Sequence, residues 1–271
     1  MKYKLVAMDM DGTLLNSKGA VTIDTLYAIK KAKEEGIIFT IATGRPVSGV
    51  ARFLNMLDFT APVITYNGAM LIDPTSKKIL FKKDLLAKDA VTIYNLGLSL
   101  NQTMCIWANN NLYSNRDDEK LANYKKISGN EPIIIDDINE IAQSGVTKIL
   151  WYDDAEKISV FKNTIDPNIF ESVTFTTSQP HFLEFFNSEV SKGVALDKLA
   201  KELGIKQEEV VAFGDGLNDL PMIEYAGMGI AMENGHKELR DAAQYVTLSN
   251  DDDGIAYAIY NVLIKNAINN D

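Results

Sequence analysis

The chain has little cysteine and histidine, little positive charge, and no apolar run of membrane-spanning length. Its one cysteine, Cys105, excludes a disulfide framework, and the setting Met104-Cys105-Ile106-Trp107 suits a small buried hydrophobe. No window approaches the ~18 apolar residues of a membrane helix, and the first apolar run is too short for a signal-peptide core. A soluble protein kept in a reducing cytoplasm is therefore expected. Only 27 Lys and Arg stand against 37 Asp and Glu, a formal charge of −10. Nucleic acid and anionic membrane surfaces are excluded as expected partners, because binding to them rests on clustered Lys and Arg. An anionic ligand must then be held by local charge. The two histidines, His181 and His236, are far apart and not spaced as ligands, which points to structural or rim roles. A Gly-x-Gly-x-x-Gly pattern is missing after the first strand-like run, which sets dinucleotide binding aside.

What is present has the rhythm of an α/β protein. The apolar run Leu5 to Met8 is followed by a helix-like segment from Thr22 to Glu35, a Gly36 stop, and a second buried strand from Ile37 to Ala42. A helix from Pro46 to Leu57 and a third strand from Pro62 to Tyr66 continue the pattern, so a parallel sheet with helical crossovers is predicted. Two short strands follow, Met70 to Asp73 and Lys78 to Phe81. The texture then changes to mixed strands and helices without clean alternation. At Ser191 the first texture returns, with a helix from Gly193, a strand from Glu209 to Phe213, a helix from Leu217 and a short strand from Gly229 to Met232. The predicted fold is a doubly wound, Rossmann-like parallel-sheet core made from residues 1–81 and 189–271. An α+β module, residues 82–188, is inserted into it.

Chemistry concentrates where core strands end. Asp9-Met10-Asp11-Gly12-Thr13 follows the first strand directly, at the sheet edge where open α/β folds hold ligands. On these residues alone a hairpin turn, a common role for Asp-Gly, stays open. The second acidic cluster, Gly214-Asp215-Gly216-Leu217-Asn218-Asp219, again follows a strand-like run. Two strands of one parallel sheet would bring Asp9, Asp11, Asp215 and Asp219 to one edge, and such crowded carboxylates call for a cation. An all-oxygen donor set without His or Cys points to Mg²⁺, and the spacing is not that of a calcium loop. Thr43, after the second strand, is a candidate phosphate ligand, together with amides of the following helix start; by itself it reads more often as a helix cap or turn residue. Lys192 alone reads as a solvated surface charge, and gains interest from Gly193, which permits close backbone approach to a ligand.

These four stretches, Asp9-Met10-Asp11-Gly12-Thr13, Thr43-Gly44-Arg45, Lys192-Gly193 and Gly214 to Asp219, resemble in residue and order the motifs of the haloacid dehalogenase (HAD) superfamily. Within it the chain resembles Cof-type sugar phosphatases with a C2B cap, through Tyr66-Asn67-Gly68-Ala69, Lys192 to Leu196 and the tail from Gly229 to Ala256. The resemblance implies a phosphatase in which Asp9 attacks phosphorus and carries an aspartyl-phosphate, while Asp11 serves as acid and then base. It implies Mg²⁺ held by Asp9, the Asp11 backbone carbonyl and Asp215, with Asp219 behind them. Met10 (through its amide), Thr43, Gly44, Lys192 and Asn218 are the implied phosphate contacts. A small phosphorylated metabolite, in this subgroup a sugar phosphate, is the implied substrate. The same intermediate would serve a phosphotransferase or mutase, and a phospho-acceptor signalling domain is a third reading that Asp11 and the insertion disfavour. Met10 stands where Leu is common, and Glu233 and Gly235-His236 flank Asn234 in place of small residues; every motif residue is kept. The inserted module shows no pattern that names the substrate.

Overall fold

The structure, a computed structural model, describes residues 2–264; residue 1 and residues 265–271 of the predicted core lie outside them. Leu5–Met8 forms strand β1, buried along its whole length. A strand with no exposed face needs cover on both sides, the condition of a parallel sheet. Thr22 caps helix α1, Ile23–Glu34, by accepting from the Thr25 amide, and Thr25, Ala28, Ile29 and Ala32 form its buried face. Strand β2, Ile38–Ile41, pairs in parallel with β1. The single helix predicted from Pro46 is instead a 3-10 turn, Val47–Gly49, followed by helix α2, Ala51–Leu57. Pro46 gives that turn no side-chain cap, and Gly49 and the β-branched Val47 and Val50 are poor α-helix formers. Strand β3, Val63–Thr65, meets β2 through one parallel bridge, Ala42 to Ile64. Its ladder then passes to a small sheet with β4, Met70–Ile72, and β5, Ile79–Lys82, so the parallel pattern ends sooner than the sequence predicts.

The inserted segment holds α3 (Ala87–Ser99), β6 (Thr103–Ala108), β7 (Asn111–Ser114), α4 (Glu119–Ser128), β8 (Pro132–Ile134), α5 (Asn139–Ser144), β9 (Val146–Tyr152), α6 (Ala155–Thr164), β10 (Val173–Gln179) and β11 (Phe182–Asn187). Its six strands order as β10-β11-β9-β6-β7-β8, all antiparallel neighbours except β7 and β8. Period-two alternation sends Met104 and Ile106 into a core with Ile149, Trp151, Leu183 and Phe185. On the same strand, Cys105 and Trp107 alternate with them and are also buried, and the Trp107 ring nitrogen donates to the Tyr124 hydroxyl at 2.9 Å. Burial pushes the Cys105 thiol far above its usual pKa, so it is an inert hydrophobe. Asn109 and Asn110, both left-handed (φ 50° and 62°), make the turn of the β6–β7 hairpin.

After the insertion come α7 (Lys192–Glu202), β12 (Val210–Gly214), a 3-10 turn (Leu217–Asp219), α8 (Leu220–Tyr225), β13 (Met228–Ala231), α9 (Lys237–Ala242), β14 (Tyr245–Val246) and α10 (Gly254–Ala258), which runs on into a π-helical stretch, Ile259–Ile264. The main sheet is β14-β13-β12-β1-β2, parallel throughout. The α/β fold with a parallel core and an additional sheet region is thus the one predicted. Two compact units result. One takes the chain up to Thr43, Arg52–Leu80 and the chain from Ser191; the other takes Gly44–Ala51 and Phe81–Val190. No change of composition marks Gly44–Ala51 as part of the second unit.

That unit contains a buried carboxylate, Asp153, which accepts from Gln102 at 3.0 Å, from Lys157 at 3.2 Å, from the Asp154 amide at 2.9 Å and from Lys120. Burial alone would raise its pKa, but the Lys120 ammonium and the amide donors bring it down to about 2. A carboxyl whose folded pKa lies below its unfolded value stabilises the fold above about pH 4, and that contribution disappears as pH falls toward 2. Asp153→Asn is expected to cost about 2 kcal/mol at neutral pH. In urea unfolding, the gap between variant and native protein should close as pH drops from 4 to 2.

Candidate active site

Strands β1 and β12 are neighbours where the chain, having run outward through β2, returns and runs the opposite way through β13 and β14. Open α/β sheets bind ligands beyond the carboxyl ends of strands at such a reversal. Met8 pairs with Phe213, so Asp9 and Gly214-Asp215 leave the sheet side by side, and the Asp9 amide donates to the Phe213 carbonyl at 3.0 Å. Carboxylate oxygens of Asp9, Asp215 and Asp219 lie within 4.8 Å of one another. The hairpin reading of Asp-Gly is thereby excluded.

Lys192 opens α7, whose N-cap Ser191 accepts from the Val194 amide at 3.1 Å. Its side chain is 0% exposed, the reverse of a solvated surface lysine, and Nζ donates to Asp9 Oδ1 at 2.6 Å and to Asp219 Oδ1 at 2.5 Å. Burial opposes the charge, yet Asp219 and Asp9 hold the ammonium's pKa above the ordinary lysine value. Gly193 does permit a close approach, but to protein rather than ligand: a Cβ there would lie 2.3 Å from the Pro221 carbonyl oxygen. The second oxygen of Asp219 accepts from the amides of Asp215 and Gly216 at 3.0 and 2.9 Å, so this acid is engaged at both ends.

Three carboxylates against one ammonium leave excess negative charge. Burial first, then Asp219, push Asp9 well above the usual carboxylate range, and the same two causes push Asp215 up to about 6. A divalent cation beside them would restore their ordinary ionisation, and an all-oxygen set suits a hard ion. The residues present therefore fit Mg²⁺.

Asp11 stands exposed beyond Asp9 and forms a short bridge with Leu15. The Met10 side chain is buried and its carbonyl accepts the Leu15 amide at 2.8 Å, leaving it only main-chain contact with a ligand. Thr43 is buried; its amide donates to the Ile64 carbonyl at 2.9 Å. Asn218 donates from Nδ2 to Asn67 Oδ1 at 3.0 Å, and the Asn67 amide donates to the Thr43 carbonyl at 3.0 Å. Asp9, Asp11, Thr43, Lys192, Asn218, Asp215 and Asp219 thus belong to one unit, whereas Gly44 begins the segment grouped with the other. The helix start predicted to offer amides near Thr43 is only the short 3-10 turn.

Four further contacts hold the acidic loops. Thr13 Oγ1 donates to Asp215 Oδ1 at 2.7 Å, Asn234 Nδ2 to the Gly12 carbonyl at 2.8 Å, and the His236 amide to the Asp215 carbonyl at 2.7 Å. Asn67 is the fourth. The threonine two residues after the second acid was a legible signal; Asn234 and His236 act through a loop that no motif spacing ties to Asp9.

An α/β sheet with paired acids at its reversal point and a buried lysine between them is an arrangement shared by phosphoryl-handling proteins, and comparison with known proteins says which kind this is. A family model described as haloacid dehalogenase-like hydrolase matches residues 6–259. YxeH of Bacillus subtilis (strain 168), provisionally named a phosphatase, is 38% identical over 267 residues, covering 97% of this chain and 99% of its own. YwtE of the same organism, named 5-amino-6-(5-phospho-D-ribitylamino)uracil phosphatase, is 32% identical over 288 residues, covering 96% and 98%. The crystal structure of a haloacid dehalogenase-like hydrolase from Bacteroides thetaiotaomicron superposes with a TM-score of 0.86 at 30% identity, covering 96% of this chain and 100% of its own. The chain belongs to the haloacid dehalogenase-like hydrolases, in their Cof-type branch, and is an enzyme of the phosphatase kind. Among the described residues no helix is long and apolar enough to cross a membrane.

Removing the buried ammonium should leave its carboxylates uncompensated. In EDTA, Lys192→Met is expected to lower unfolding free energy by about 3–5 kcal/mol, read by urea denaturation. Calorimetric titration with Mg²⁺ should show Asp215→Asn binding the ion at least about tenfold more weakly than native protein.

Proposed function

We propose that this protein is a Mg²⁺-dependent phosphatase of small phosphorylated metabolites, working through an aspartyl-phosphate on Asp9. The observation that carries the reading is the contact of Lys192 with Asp9 at 2.6 Å, at the sheet reversal and next to Asp215. A carboxylate in that position keeps a defined orientation and faces a locally positive partner in a protein whose net charge is −10.

Asp9 attacks phosphorus through a carboxylate oxygen as the bond to the leaving oxygen breaks, and Asp11 gives that oxygen a proton. Asp11, now a carboxylate, then takes a proton from water as the water oxygen bonds to phosphorus and the Asp9 bond breaks, releasing inorganic phosphate. Lys192, the Asn218 amide, the Thr43 hydroxyl and the main-chain amides of Met10 and Gly44 hold the phosphoryl oxygens through both steps. Asp9, the Asp11 carbonyl and Asp215 would hold Mg²⁺, which when bound would supply the charge that lets a phosphate dianion approach a carboxylate. Asp219 orients the Asp215 loop and Lys192.

A phosphorylated sugar or sugar alcohol is the substrate class we favour. The name of YwtE carries a phosphoribityl group, and the fold likeness to a HAD subclass IIB sugar phosphatase, BT4131, at TM-score 0.82, agrees with a similar framework. The buried, inert Cys105 suits a cytoplasmic setting.

Asp9→Asn is isosteric and should fold as the native protein does, while phosphate release from a panel of sugar phosphates falls by about a thousandfold or more. Wild-type turnover in that variant would sink the nucleophile assignment. Measuring free phosphate against phosphorylated acceptor in the same assay separates hydrolysis from phosphotransfer.

A further inference from the structure

The turn joining β3 to β4 contributes to the family resemblance without having a chemical role in it. Tyr66 and Asn67 both lie in the left-handed region, at φ 52° and 55°, and Gly68 follows at φ 100°. Residues with a Cβ avoid this backbone, Asn less than most, and two in succession persist only where their surroundings hold them. Asn67 is 4% exposed, and its amide and side chain have the partners already described, the Thr43 carbonyl and Asn218. Gly68 lies against the backbone just before Lys192, where a Cβ would come within 2.1 Å of the Ser191 carbonyl oxygen. One strained turn therefore touches the Thr43 strand end, the start of α7 and the Asn218 side chain.

We propose that Asn67 is a positioning residue for the phosphoryl group, acting through Asn218; the inference rests on the phosphatase reading above. A primary amide has a donating end and an accepting end, and only the donating end can face a phosphate oxygen. Asn67 Oδ1 takes one N–H of Asn218 and leaves the second for the ligand, while Asn218 Oδ1 lies toward Gly216, where a Cβ would be 2.5 Å away. A half-turn of that amide would set two oxygens against each other at Asn67 and offer a repelling carbonyl to the phosphate. The left-handed backbone of Asn67 is what carries its side chain to this place while its amide holds Thr43. Two separate phosphate contacts are thereby tied to one residue.

Asn67→Gly removes the side chain and suits the backbone. In the presence of Mg²⁺, inorganic phosphate is expected to bind Asn67→Gly about tenfold more weakly by calorimetry, with a similar loss in Asn218→Ala. The double variant should bind no more weakly than Asn218→Ala, because one residue acts through the other. Additive losses, or native affinity in Asn67→Gly, overturn the proposal. A second reading needs no Asn67 variant: by NMR, one side-chain amide proton of Asn218, assigned by its absence from Asn218→Ala, should exchange slowly with water. Fast exchange of both protons overturns the proposal as well. Native turnover in Asp9→Asn would instead overturn the phosphatase reading, and the exchange measurement still judges the Asn67 contact on its own.

Discussion

A single ammonium, Lys192 Nζ, sits wholly buried between Asp9 and Asp219, and the acidic strand ends are arranged around it. Taking a charge out of water is costly, and it persists only where oppositely charged groups and hydrogen bonds replace the solvent. That requirement constrains more than the site. Lys192 must open α7 at a fixed depth, which needs the Ser191 cap and the close packing of Gly193 on Pro221. Asp219 must meet it from the 3-10 turn after β12, and that acid also holds the Asp215 and Gly216 amides. Helix start, turn and strand end are therefore set by one charge balance.

The balance is deliberately incomplete in chemical terms. Asp9 and Asp215 are both pushed above the usual carboxylate range, chiefly by burial and then by Asp219. A divalent cation beside these carboxylates would offset both effects, and their all-oxygen donor set suits one. The same logic explains why the loops bearing the acids are tied down by neutral donors, Thr13, Asn234 and the His236 amide, which add no charge to the account.

Much of this was legible before any coordinates. The strand-then-acid pattern at Asp9 and at Asp215 carried both the fold class and the pairing of the acids, because a buried parallel strand is a nearly continuous apolar run that ends abruptly where ligand chemistry begins. The core strands that were predicted came out within a residue or two of their bounds, while the two-residue edge strand β14, Tyr245–Val246, had no apolar run long enough to show it. What escaped has physical causes. Helix α3, Ala87–Ser99, starts at Leu86 without a side-chain cap, and the acid in its first turn, Asp89, instead accepts from the Glu171 and Ser172 amides. Strand β8 opens with Pro132 at a sheet edge, where its missing amide does no harm but hides the strand from a propensity reading. Asn67 was visible as part of an Asn-Gly turn, but its link to the site escaped because it runs through a partner 151 positions away, which has no local signature.

The silence of the sequence about substrate follows from the same division. Bond-breaking chemistry needs a few residue types at strand ends, and strand ends are visible as breaks in apolar patterning. The second unit is an antiparallel sheet whose alternation is spent on its own core, with Trp151, Phe185 and Ile106 on one face and Trp107 and Cys105 alternating with them. Polar residues there, such as the Lys148 and Glu184 pair at 3.0 Å, take the alternate positions of their strands without a motif to read them by. Recognition of a leaving group can be met by many shapes and many hydrogen-bond sets, whereas transfer of a phosphoryl group tolerates few. An acidic chain that must hold an anion therefore writes its reaction plainly, in one buried lysine and its acids, and its choice of substrate hardly at all.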